Sequence, residues 1–152
     1  MKKTPPESAG PQREHRVSSL LWATYQIARK YQFKRLVERG FDDLNPPLLN
    51  IMIYPHPDGV RPSDLVEKTN MTKQAVNHLL GQLEKLGYLE RRPEKRGGRR
   101  LVYVTKRGWQ AISAHRAAVQ EVEKKWSGLV GEKRFAQFME VLRALSDKPL
   151  MS

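Results

Sequence analysis

Lys73, Gln74, Asn77 and His78 lie within six residues of one another, at a spacing that puts them on one face of a helix. These side chains suit the reading of nucleic acid. Gln and Asn can pair bidentately with adenine, Lys can reach guanine or phosphate, and His can contact a base or a phosphate. A little further on, Lys85, Arg91, Arg92, Lys95, Arg96, Arg99, Arg100, Lys106 and Arg107 stand against only Glu90 and Glu94. The stretch 85–107 therefore holds +7 of the chain's formal +12. Gly97-Gly98 between arginines could form a loop tip able to enter a minor groove, where narrow A·T-rich segments attract Arg. A run of charge alone is most often a solvated face, and exposed amides on a helix are common. The formal charge of +12 points to a polyanionic partner, and the joint pattern of two short helices, a tight turn and a basic hairpin makes that partner nucleic acid.

Other chemistries find little support. The histidines, His15, His56, His78 and His115, include no pair at metal-ligand spacing, and cysteine is absent, so neither a local metal site nor thiol chemistry is expected. No phosphate-binding loop, nucleophile elbow or dinucleotide fingerprint occurs. The chain is read as a non-enzyme without cofactor. With 152 residues and 39% apolar content it can fold as one domain. No run approaches the roughly 18 apolar residues of a membrane span, and Met1-Lys2-Lys3-Thr4-Pro5-Pro6 leads into no apolar signal segment. A cytoplasmic, nucleoid-associated protein with no membrane partner is the expectation.

The elements that must hold the polar face follow from periodicity. Residues 1–13 read as a disordered arm and 147–152 as a tail. From about 14 to 40 the spacing is helical, stopped by Gly40. Leu48–Tyr54 reads as a short helix, and Pro62 opens another that ends near Asn70. Thr72 is a fitting N-cap for a helix whose inward set is Val76, Leu79, Leu80, Leu83 and Leu86, ended by Gly87. Tyr88–Arg91 and Leu101–Thr105 read as strands of a hairpin. Helix is expected to resume after Gly108, with breaks at Gly128 and Gly131, and a last helix carries Phe135, Phe138, Met139, Leu142 and Leu145. The fold class is mainly α with a small β-hairpin, a winged helix-turn-helix flanked by long helices. Its core spans about 44–107 and the flanking helices about 14–40 and 108–146 of a single domain at 14–146.

The stretch from Gly59 to Pro93, followed by Arg99 to Gly108, resembles the multiple-antibiotic-resistance regulator (MarR) family of bacterial transcription regulators. The likeness is most specific at Met71-Thr72-Lys73-Gln74, at Leu83-Glu84-Lys85-Leu86-Gly87-Tyr88 and at Thr105-Lys106-Arg107-Gly108. It implies a winged-helix homodimer on double-stranded DNA, with a groove beside the dimer helices for a small aromatic or anionic effector. Carried over, it puts Thr72, Lys73, Gln74, Asn77 and His78 on the recognition helix, Ser63 at a phosphate contact and Arg91 on the first wing strand. Lys95, Arg96, Arg99 and Arg100 complete the basic wing. The family's wing normally carries an Asp bracing an Arg, and here Arg96-Gly97-Gly98 stands at that place. Either Arg96 or Arg99 could take the minor-groove role.

Trp22, Tyr25, Trp109, Trp126, Phe135 and Phe138 lie on the flanking helices, more aromatic surface than a core of about 60 residues can bury. A two-fold dimer would cover it and set two recognition helices one DNA turn apart. Trp22, Tyr25 and Trp109 are the candidates for an effector pocket. The expected function is a dimeric DNA-binding regulator, a repressor of a pseudo-palindromic operator released by an effector. The alternative is an RNA- or ribosome-associated module, or a non-specific architectural nucleic-acid-binding protein. The hairpin carries only Tyr88 and Tyr103 for stacking on unpaired bases, which favours duplex DNA.

Overall fold

The computed structural model describes residues 16–54, 57–93 and 100–148. The expected arm at 1–13 and the tail beyond 148 lie outside them. In chain order the elements are α1 (Val17–Glu38), α2 (Pro46–Met52), α3 (Pro62–Thr69), α4 (Lys73–Lys85), β1 (Leu89–Pro93), β2 (Arg100–Val104), α5 (Lys106–Val130) and α6 (Glu132–Ser146). This is the expected mainly helical fold with one antiparallel hairpin.

Local chemistry sets the boundaries. After α1, Gly40 at φ +85° donates to the Val37 carbonyl, and Phe41 N–H donates to that of Leu36, both at 3.0 Å. Two orphan carbonyls are satisfied by a left-handed residue that glycine adopts without steric cost. The second helix starts earlier than periodicity suggested, at Pro46 rather than Leu48. The Asn45 side chain accepts from Leu48 N–H at 3.1 Å and caps it, a polar signal that an apolar count does not weigh. Pro62 occupies the first turn of α3, and Asn70 ends it in the left-handed region at φ 52°. Thr72 caps α4 by accepting from Ala75 N–H at 3.1 Å.

Two helix ends differ from expectation. Helix resumes at Lys106, not after Gly108, because Thr105 is the cap and its hydroxyl accepts from Gly108 N–H at 3.1 Å. Gly108 lies inside the first turn for a packing reason: a Cβ there would stand 2.2 Å from the Tyr88 carbonyl oxygen. Gly128 does not interrupt α5, whose 25 residues run through to Gly131 at φ 91°.

The core gathers Leu48, Leu49, Ile51 and Met52 from α2, Leu65 from α3, and Val76, Leu79, Leu80 and Leu83 from α4. Leu36 of α1 and Ala111 and Ile112 of α5 join it, so the long helices are rooted in the winged core. Each such side chain contributes about 1.5–3 kcal/mol when fully buried. The hairpin pairs Leu89 with Val104 through Pro93 with Arg100, and Val60 makes a single antiparallel bridge to Val102.

Away from the core, α1 and α5 are clamped by charge. Glu121 accepts from Tyr31 Oη and Arg35 Nε, both at 2.8 Å, and from Arg39 Nη2 at 2.6 Å. Hydrogen bonds from Arg35 first, then Tyr31 and Arg39, hold its carboxyl down at about 2.

Candidate nucleic-acid interface

With Val76, Leu79, Leu80 and Leu83 buried, helical geometry turns the other side of α4 outward. Lys73, Gln74 and His78 are exposed and Asn77 is half-buried. Asn77 Nδ2 donates to the Lys73 carbonyl at 3.0 Å, which commits one of its two amide hydrogens to the helix itself. His78 Nε2 meets Gln82 Nε2 at 2.9 Å. Gly81 lies on the same face, and a methyl group there would meet nothing within 4 Å. Thr72 spends its hydroxyl on the cap. Ser63, at the start of α3, is exposed with its Oγ 3.4 Å from Asp64 Oδ1.

The basic hairpin lies next to this face in the chain. Arg100 is exposed opposite Pro93. Arg92 pairs with Glu90 and stacks over the Tyr103 ring at 5.3 Å. Arg91 points back to α4 and pairs with Glu84 Oε2 at 3.2 Å. Lys95, Arg96 and Arg99 lie outside the described residues. Neither hairpin tyrosine offers an open ring. Tyr88 is fully buried, and Tyr103 lies under Arg92 and against Gly59, whose Cβ would come within 2.8 Å of it.

The junction of α4, hairpin and α5 is held by groups that motif spacing did not reveal. Tyr88 Oη donates to Asp43 Oδ1, and Arg107 Nη2 reaches Asp43 Oδ2 at 2.7 Å and Tyr88 Oη at 3.1 Å. Burial first, and then the bond to Asp43, push the Tyr88 hydroxyl up to about 12. Thr105 Oγ1 also donates to the Gly87 carbonyl at 2.6 Å. One threonine therefore closes α4's exit and opens α5.

The three aromatic residues expected to line one pocket are not brought together. Trp22 and Tyr25 are neighbours on α1, ring centroids 6.3 Å apart, whereas Trp109 packs against the winged core. Tyr25 borders an apolar cavity of about 290 Å³ with Val122, Trp126, Phe135 and Phe138, between α1, α5 and α6. A second cavity of about 440 Å³ lies between the end of α2 and α5, lined by Ile53, Ile112, His115, Arg116, Val119, Gln120 and Glu123. Burial lowers the pKa of His115 below the usual histidine value. Sequence reading missed this cavity, and its one signal was the adjacent His115-Arg116 pair on an otherwise apolar helical stripe. Among the described residues no group of three His, Cys, Asp or Glu could hold a metal ion. No helix there is long and apolar enough to cross a membrane.

Comparison with known proteins agrees with this geometry. Residues 51–100 match the MarR family, a span that covers α3, α4 and β1. No curated protein sequence matches the chain. Several solved structures share its fold. YusO from Bacillus subtilis superposes with a TM-score of 0.66 at 15% identity, covering 88% of this chain and 94% of its own. A MarR-family transcriptional regulator from Rhodococcus sp. RHA1 gives 0.65 at 16%, covering 85% and 92%. A mutant MepR from S. aureus, bound to an oligodeoxyribonucleotide, gives 0.62 at 19%, covering 88% and 98%.

Proposed function

We infer that this chain, which has the MarR-type winged-helix fold and matches the MarR family across its winged core, is a DNA-binding transcription regulator that acts as a two-fold dimer. The observation that carries the reading is the outward face of α4. Lys73, Gln74 and His78 are exposed there on a helix whose opposite face is locked into the core. A helix presented in this way enters a major groove and reads base edges. The adjacent cations supply the phosphate attraction that dominates affinity. The DNA-bound relative of the same fold supports the choice of partner.

Dimerisation is supported by what the chain leaves uncovered. Among the described residues, α6 buries nothing, and Leu129, Phe138, Val141 and Leu145 stand exposed beside Leu20, Leu21 and Trp22 of α1. A second copy covering this surface would set two α4 helices against successive major grooves. The protein then works as a repressor in the cytoplasm, excluding other proteins from a pseudo-palindromic operator. The cavity beside His115 and Arg116 joins the long helices to the core, and a small anionic or aromatic effector bound there would change the spacing of the α4 pair. The RNA alternative is disfavoured because both hairpin tyrosines are already engaged.

The test is a titration of labelled random duplex DNA with single-stranded RNA as competitor, repeated across salt. Duplex binding that survives an RNA excess, with log K falling by about 0.9 per phosphate contact as log salt rises, supports the reading. Preferential displacement by RNA refutes it.

A further inference from the structure

Where the hairpin begins is fixed by backbone hydrogen bonds. Gly87 N–H donates to the Glu84 carbonyl at 3.0 Å and Tyr88 N–H to that of Leu83 at 2.9 Å. On the other strand Val102 exchanges bonds of 2.9 and 3.0 Å with Val60. Neither set ties the outer half of the hairpin to α4. Arg91 does so. It lies at the middle of β1, across from Val102 in the ladder, and its guanidinium reaches back to Glu84, the penultimate residue of α4, at 3.2 Å. The two side chains are only 25% and 31% exposed. The atom that meets Glu84 Oε2 is Arg91 Nε, which is shut off from solvent and makes no hydrogen bond, so the contact is an ion pair and Glu84 is the carboxylate that faces this buried nitrogen. Breaking the pair leaves a partly buried charge without its partner. The contacts of Arg92, by contrast, stay within the hairpin.

We infer that Glu84 is a positioning residue for the DNA-reading surface. Through Arg91 it sets the angle at which the hairpin leaves α4, and so the distance between the bases that face Gln74 and the backbone that the hairpin reaches. The inference rests on the DNA-reading function proposed above.

Simple charge counting predicts the opposite sign. Glu84 is a carboxylate beside a polyanion, and its removal by charge alone would tighten binding to any DNA. The experiment is Glu84→Gln in the full chain, measured on a duplex selected by the wild type and on a scrambled duplex. Cognate affinity is expected to fall about fivefold, with scrambled affinity unchanged or raised. Arg91→Gln should do the same to cognate affinity, and the double variant should be no worse than either single, because both remove one bridge. Unchanged or tighter cognate binding by Glu84→Gln overturns the inference, as do additive losses in the double variant. If Glu84→Gln shows no cooperative thermal transition, Glu84→Asp replaces it, keeping the charge but shortening its reach, with the same expected loss and the same overturning result. Failure of the DNA reading looks different, because the wild type itself would then not distinguish the selected from the scrambled duplex.

Discussion

Gly108 and Gly81 are both helical, and a methyl group would affect them in opposite ways. At Gly108 it would collide with backbone, the Tyr88 carbonyl oxygen at 2.2 Å, so Gly108→Ala should lose about 1–3 kcal/mol through overpacking. At Gly81 nothing lies within 4 Å, so Gly81→Ala should gain about 0.5–1 kcal/mol from reduced chain entropy. Urea unfolding of the two variants checks both signs. The amides on the same helix are unequal as well. Gln74 is free to present both its donor and its acceptor to adenine, whereas Asn77 has already given a hydrogen to the Lys73 carbonyl. Gln74→Ala should therefore cost about 1–3 kcal/mol at the cognate site, and Asn77→Ala less. Random DNA should lose little in either case. Paired anisotropy titrations on cognate and random duplexes measure this, and equal losses on both would deny Gln74 a reading role.

Between elements, the Glu121 clamp makes the packing of α1 on α5 sensitive to acid. Its carboxyl titrates at about 2 when folded, against an ordinary 4.5. A depressed folded value means that the stabilisation is fully present above pH 4.5 and is lost as pH falls through about 2. Glu121→Gln should flatten stability across that window and leave the slope above pH 5 alone. Denaturant midpoints from pH 2 to 6 test it. This clamp was not legible in the sequence, since Glu121 lies more than 80 positions from Arg35 and Arg39 and meets them only through packing. The helices and hairpin are legible because their signals are local: an apolar set at i, i+3, i+4 and i+7 on α4, Thr72 as its cap, Gly40 and Gly87 as stops. Thr105 reads by alternation as the end of a strand, which puts the start of α5 three residues late, after Gly108 and not at Lys106. The Lys73, Gln74 and His78 face could be read because one helix carries it. The effector trio could not, because Trp109 turns toward the core while Trp22 and Tyr25 stay outside it. That separation depends on the tertiary arrangement of α1 and α5.

At the scale of the whole molecule, α1, α5 and α6 expose Leu20, Leu21, Trp22, Leu129, Phe138, Val141 and Leu145, the kind of apolar surface that marks an interaction site. Leu129 is 81% exposed and Leu145 60%, so charging either should disturb assembly without disturbing the fold. The wild type is expected to sediment as a dimer at micromolar concentration, and Leu129→Arg with Leu145→Glu as a monomer with unchanged helix content. A variant that stays dimeric would move the interface elsewhere. Whether two α4 faces read one duplex together is decided by selection from a random duplex pool at physiological salt, with a matched RNA pool in competition. A pseudo-palindrome with half-sites about ten base pairs apart and two chains bound per duplex is the expected outcome. Recovery of no consensus, or of RNA in preference to DNA, would contradict it.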